Sequence, residues 1–328
     1  MAYRIRPAKP FTAEFRAVAE SQISHAIRLL QEQPEGPHEA VHDARKRFKR
    51  VRALYRLVQP DAKEFRRQEN ARIRDMAQTL SAVRDATALV ETVDYLADHA
   101  GSPEEMAALA VASKGLTERR DRIALEEHDL PARMAAAANT CREAIAALEG
   151  LDLDDDPRKT ARRLEKAWKT QRLRAHAALI ACEAHATAEA YHELRKCGQT
   201  YWMHLSLLNE IWPSAMLAKQ RQAKELVDLL GHEHDLSVLT GLVNEDPELF
   251  GNGDTLALIL GAIIARQQAL RQEAQEKARH VFADSAETES ALIALLWKKA
   301  ASASRKERKA DKAYKAEQTP EKETALHG

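Results

Sequence analysis

Two histidines stand at matching places in the two halves of the chain, each followed by an arginine three residues on and a lysine four residues on. They are His42, Arg45, Lys46 and His192, Arg195, Lys196. Residues at these spacings share one face of a helix, so each set groups an imidazole with two cations. That combination suits an anion: arginine forks onto phosphate oxygens, lysine adds point charge, and an imidazole N–H donates. The first set continues through Lys49, Arg52 and Arg56. With His42 at zero and 100° per residue, Arg45, Lys46, Lys49, Arg52 and Arg56 fall within about a third of the circumference. Ala44, Phe48, Val51, Leu54, Tyr55 and Val58 fall opposite, with Leu57 as the exception. Like charges so placed repel by a few tenths of a kcal/mol per pair. The rail becomes favourable once a polyanion lies along it.

The repeat extends beyond this motif. Leu80-Ser81-Ala82-Val83-Arg84-Asp85 returns as Leu230-Gly231-His232-Glu233-His234-Asp235, at the same offset of about 150 residues. Two matches at one offset indicate a duplicated unit. Asp85 and Asp235 are kept in both copies and read as a helix cap or as the partner of a basic side chain. The cluster from His232 to Asp235 invites a metal, but His232 and His234 diverge on a helix and the first copy has Ala82 and Arg84 there. Neither metal nor cofactor is expected.

The 328 residues contain 50 Lys and Arg against 50 Asp and Glu, so the whole chain has no pull on polyanions. Charge is segregated instead. Seven cations face the single acid Asp43 between His42 and Val58, and eight face Glu165 between Arg158 and Arg174. Aromatics at 5%, with 11 Gly and 11 Pro, argue against a β-rich fold, and the Ala/Leu/Glu/Arg/Lys-rich segments are helix-forming. Cys141, Cys182 and Cys197 have no metal spacing and read as thiols in a reducing compartment. With no signal-like or membrane-spanning run in the sequence, a cytoplasmic location is expected.

Breakers divide the first half into helices at Phe11–Gln33, Val41–Gln59, Asp61 to about His99, Glu104–Glu127 and Ala132–Leu148, with Asp61 as an N-cap. The acidic link from Gly150 to Pro157 divides the halves. The second half gives Arg158 to about His185, Glu189–Ile211, Ser214–Leu230, Leu236–Val243, Thr255–Phe282 and Glu287–Lys299. The expectation is an all-α protein of two antiparallel bundles, residues 11–150 and 157–300, followed by a frayed or disordered tail at 304–328.

His-x-x-Arg-Lys-x-x-Lys-x-x-Arg on one helix, with Leu-x-x-x-Arg/His-Asp some 35 residues later and both duplicated, resembles the CHAD family, the conserved histidine α-helical domain. The likeness runs from about Phe11 to Trp297, and the stretch Arg67 to Asp75 resembles the family's third helix. The resemblance implies two four-helix bundles around a shared basic central groove that binds inorganic polyphosphate, often at polyphosphate granules. It implies contacts from His42, Arg45, Lys46, Lys49, Arg52, His192, Arg195 and Lys196, and by looser match from Arg66, Arg67, Arg74, Lys166, Lys169 and Arg172. Arg56 joins them from the wheel. Gln199 stands where the pattern has a lysine and Trp202 where it has an arginine, so the second rail is thinner. The Glu-x-Glu-x-Lys start of an accompanying triphosphate-processing domain does not occur in the sequence, and the unit reads as standing alone.

Three functions compete. A module that holds polyphosphate without catalysis accounts for the rails. A phosphate-transferring or polyphosphate-hydrolysing enzyme requires clustered carboxylates for a metal, and the basic helices offer none. A nucleic-acid binder requires stacking platforms, for which Trp168 and Trp202 are the candidates. The first is expected, with no catalytic residues, no membrane and no nucleic acid as partner.

Overall fold

The computed structural model describes residues 3–80 and 82–317, with side chains except those of Ala82 and of 304–317. Among the described residues every regular element is helical, and the protein is all-α. In the first half these are α1 (Phe11–Glu32), α2 (Pro37–Arg56), α3 (Lys63–Gln78), α4 (Ala82–Ala97), α5 (Pro103–Glu126) and α6 (Leu130–Ala147). In the second they are α7 (Pro157–His185), α8 (Ala188–Leu207), α9 (Pro213–Glu245), α10 (Gly253–Val281) and α11 (Ala286–Glu317).

Local chemistry sets many of the starts. Pro37, Pro103, Pro157 and Pro213 open helices, where the missing N–H has no consequence. The side chains of Ser102, Asp156, Thr187 and Asn252 each accept a backbone N–H of the first turn. Gly36, at φ 93°, makes the left-handed turn that leads into α2.

The helix ranges repeat at the spacing of the sequence motifs. α1 corresponds to α7, α2 to α8, and α9 covers the positions of both α3 and α4. This reverses the expected breaks. Asp61 to His99 was expected as one helix and is divided near Leu80, whereas the interruption expected after Leu230 is absent. α9 is continuous because Leu226, Leu230, Glu233, Leu236 and Leu239 form one buried stripe through Gly231. Asp235 therefore caps nothing, being mid-helix. Asp61 is not an N-cap either: Ala62 holds that place, while the Asp61 carboxylate accepts from Arg163 Nε across the halves at 2.7 Å.

The apolar side chains do not divide at the Gly150–Pro157 link. One buried cluster gathers α1, α2, α3 and α6 with α7, α8, the start of α9, the end of α10, and α11. A second joins α4 and α5 to the end of α9 and the start of α10. Each cluster thus draws on both halves, and the second sets α4 beside α9, where the two copies of the Leu-x-x-x-Arg/His-Asp motif lie. Of the expected tail, α11 continues as helix to Glu317, and residues 318–328 lie outside the described residues. Cys141, Cys182 and Cys197 are buried free thiols.

Candidate functional site

α2 presents its cations as the wheel places them. Ala44, Phe48, Val51, Leu54, Tyr55 and Val58 are buried, and Arg45, Lys46, Lys49, Arg52 and Arg56 lie opposite, partly or fully exposed. Leu57, the exception on the wheel, is buried too, with its backbone still right-handed helical at φ −67° and ψ −26°. α8 docks on this side of α2: the buried His204 of α8 donates Nε2–H to the Ala53 carbonyl at 2.9 Å. Burial holds that imidazole neutral, with its pKa pushed down to about 4.

α4, α8 and α9 close one end of the rail. His42, Arg45, Lys46 and Lys49 line a cavity of about 440 Å³ together with Arg84 and Asp85 of α4, Arg195 of α8, and His234 and Asp235 of α9. Arg45 pairs with Asp85 at 3.0 Å, so the partner reading holds for that aspartate. Lys46 pairs with Asp43 at 2.9 Å, and Lys196 pairs with Glu193 in the matching geometry of the second half. Burial pushes the Asp235 carboxyl up, opposed by Arg195, His232 and Lys49. The histidines differ between halves. Arg84 Nε donates to His42 Nδ1 at 2.7 Å, whereas His192 Nδ1 lies 3.2 Å from His234 Nδ1.

Lys49 lies among like charges. Crowding by protein, then repulsion from Arg195 and Arg45, lowers its ammonium to about 8, with Asp235 opposing. Its exposed surface lets water recover part of that shift. A bound anion favours the charged form, so the Lys49 contribution to anion affinity is complete below pH 8 and is lost as pH rises through the higher pKa of the complex. Polyanion affinity is expected to fall between about pH 8 and 10, and Lys49→Arg to abolish most of that fall, since arginine stays charged. The same fall in Lys49→Arg would show that another group titrates.

One to two turns further along α2, Arg52 and Arg56 meet Arg66 and Arg74 of α3 and Arg174 of α7. Arg52 donates to Asn70 Oδ1 at 3.0 Å. Burial and then Arg174, Arg66 and Arg52 lower the Arg56 guanidinium to about 10. Burial and then Arg174 lower Arg66 as well. Arg56, Lys63, Lys166 and Lys169 line a second cavity of about 540 Å³. Of the second-half counterparts of Lys49, Arg52, Arg56, Arg66 and Arg74, Gln199, Trp202, Ser206 and Met216 are uncharged and Lys224 alone is a cation, so the second half charges this end mainly through α7.

Glu39, His42 and Asp43 bring potential metal-ligand atoms within 4.8 Å of one another. Arg84 already occupies His42 Nδ1 and Lys46 one oxygen of Asp43, so the trio fits a metal poorly. The His232–Asp235 cluster diverges as expected of a helix. His232 stacks on Tyr95 at 4.0 Å, and Glu233 is buried in an ion pair with Arg271 at 2.8 Å. Among the described residues no helix is long and apolar enough to cross a membrane.

The family model described as the CHAD domain matches residues 17–244, more than half of the chain. The chain belongs to the CHAD family. No curated protein matches it. The CHAD match begins and ends inside the stretch from Phe11 to Trp297 over which the motifs suggested likeness.

Not every CHAD-implied contact lies on the cation face. Arg172 is a correction: it is 1% exposed, ion-paired to the buried Glu289 at 2.5 Å, and donates to the carbonyls of Phe282 and Asp284. It is enclosed by the aromatic rings of Tyr201 and Phe282 and cannot reach a surface ligand. Arg67 is bound to Glu64 on its own helix, and Arg74 to Asp75. Lys169 pairs with Glu287 at 2.9 Å. Trp168 is 1% exposed and is no stacking platform, and Trp202 packs partly on the core beneath Lys224. Sequence reading missed Arg84 and Arg174. Arg84 stood in the repeated block, beside the aspartate that drew attention.

Proposed function

We propose that this CHAD protein holds inorganic polyphosphate along the cation face of α2, in a groove flanked by α3, α4, α7, α8 and α9, without turning it over. The observation that carries this is a set of buried guanidinium nitrogens with no hydrogen-bond partner among the described residues: Arg56 Nη1, Arg66 Nε, Arg84 Nη1 and Arg195 Nε. Buried donors left unpaired are costly, by roughly 1–3 kcal/mol each, and more for charged groups. Such nitrogens also occur away from the rail, on Arg16, Arg47, Arg133, Arg163 and Arg172; what singles out the rail is that four gather there from both halves beside Lys49, a grouping of like charge that an anion of repeating charge offsets. Phosphate oxygens spaced along a chain supply it, and association with cytoplasmic polyphosphate granules follows from such binding.

The absence of catalysis rests on the carboxylates beside the rail. Asp43 and Asp85 are each tied to a cation, and Asp235 sits between Arg195 and Lys49. Metal-assisted phosphoryl transfer needs several free carboxylate oxygens converging on one point. Nucleic acid is disfavoured because the two tryptophans near the rails are engaged in packing.

The expected outcome is that long-chain polyphosphate is bound well below the concentration at which single-stranded DNA of equal charge is bound. The same mixture with Mg²⁺ or Mn²⁺ releases no orthophosphate above a His42→Ala/His192→Ala control. A preference for DNA, or release that disappears in that control, would overturn the proposal.

A further inference from the structure

The residue preceding each motif aspartate differs between the copies: Arg84 in the first and His234 in the second. Each faces the motif histidine of its own half through that histidine's Nδ1. The two contacts impose different proton positions. An arginine Nε–H only donates, so His42 Nδ1 must hold a lone pair and the imidazole proton sits on Nε2. Forming imidazolium at His42 would break this 2.7 Å bond and oppose two N–H groups. Arg84 is itself held by Glu91 at 3.0 Å, which keeps the guanidinium in place.

In the second half the two Nδ1 atoms lie 3.2 Å apart and the ring centroids 4.6 Å apart. One ring donates and the other accepts, so one carries its proton on Nδ1 and leaves a lone pair on Nε2. That lone pair is a place for a further proton that the first half lacks. We propose that Arg84 and His234 are positioning residues for polyphosphate: Arg84 fixes His42 as a neutral Nε2–H donor, while the His192–His234 pair takes up a proton when the polyanion arrives. This rests on the polyphosphate-binding reading above.

The surrounding charges fit that division. His42 is faced by Arg84 from α4 and by Lys46, Glu39 and Asp43 on α2. His192 and His234 are faced by Arg195, Lys196 and Glu193 on α8 and by Lys49 from α2. Without ligand, burial and this cationic surplus favour the neutral form of both rings, His234 being held down to about 4. Phosphate oxygens reverse the local potential and favour the imidazolium. The balance is one proton drawn from buffer per pair on binding, with no bond to phosphorus formed or broken.

Two readouts separate the proposal from its premise. In the free protein at neutral pH, ¹⁵N chemical shifts of the imidazoles are expected to show His42 as the Nε2–H tautomer. In Arg84→Gln that preference is expected to relax. Calorimetry of long-chain polyphosphate binding near pH 6, in two buffers of different ionisation enthalpy, is expected to show uptake on the order of one proton per chain. His234→Gln should abolish the uptake, and Arg84→His should add a second proton. An Nδ1–H tautomer at His42, or uptake unchanged in His234→Gln, overturns the proposal. Failure to bind polyphosphate at all would instead overturn the functional reading, and the free-protein spectrum would still decide the tautomer.

Discussion

Arg172→Ala is expected to lower the unfolding free energy by about 3–5 kcal/mol, the usual consequence of removing one partner from a buried ion pair. Arg172 and Glu289 are 1% and 4% exposed in their side chains, and the Tyr201 hydroxyl donates to the same carboxylate at 2.6 Å. Truncation leaves Glu289 without its guanidinium and opens a void beside Phe282. The urea midpoint reads this directly. Whatever fraction remains folded should bind polyphosphate as the unaltered protein does. Had Arg172 been a groove residue, as the family likeness implied, the substitution would shift stability by less than about 0.5 kcal/mol and weaken binding instead.

The second large effect is on affinity. Arg45→Ala with Lys49→Ala is expected to weaken polyphosphate binding by on the order of a hundredfold, taking about 1.5 kcal/mol per charge-assisted contact. Arg195→Ala with Lys196→Ala should cost less. Lys196 is already tied to Glu193, and Gln199, Trp202 and Ser206 give it no cationic continuation along α8. Both double variants should keep their thermal midpoint, because none of the four side chains packs in a core cluster. Equal losses would mean that the two halves contribute alike despite those substitutions.

The helical class, the duplication and the cation face of α2 were legible because each rests on periodicity, which a sequence displays directly. Arg172 shows where periodicity does not decide. On the wheel of α7 it stands at the edge of the buried face, with Ala161, Trp168, Ala175 and Leu179 within about 60° on one side and Lys169 at about 60° on the other, and family likeness placed it in the site. Charge alone does not say which side of a helix faces water. The break near Leu80 and the continuity through Gly231 were illegible for another reason. The leucines that carry α9 past Gly231 are periodic, but the polar block from His232 to Asp235 interrupts their run and hides it. The sharing of both apolar clusters between the halves was hidden differently, since each segment shows an apolar face but not which neighbour covers it. Arg84 was in view without a role, because its partner, His42, lies 42 residues away.

The most direct test of the account is one titration series: long-chain polyphosphate, triphosphate and pyrophosphate, each at two salt concentrations. An extended rail of repeating cations predicts affinity that rises with chain length. It also predicts a loss of roughly a few hundredfold for the long chain between about 50 and 200 mM salt, by analogy with six or so contacts to a single nucleic-acid strand. Triphosphate bound as tightly as the long chain, with little dependence on salt, would contradict it and point to a closed pocket at the His42 end.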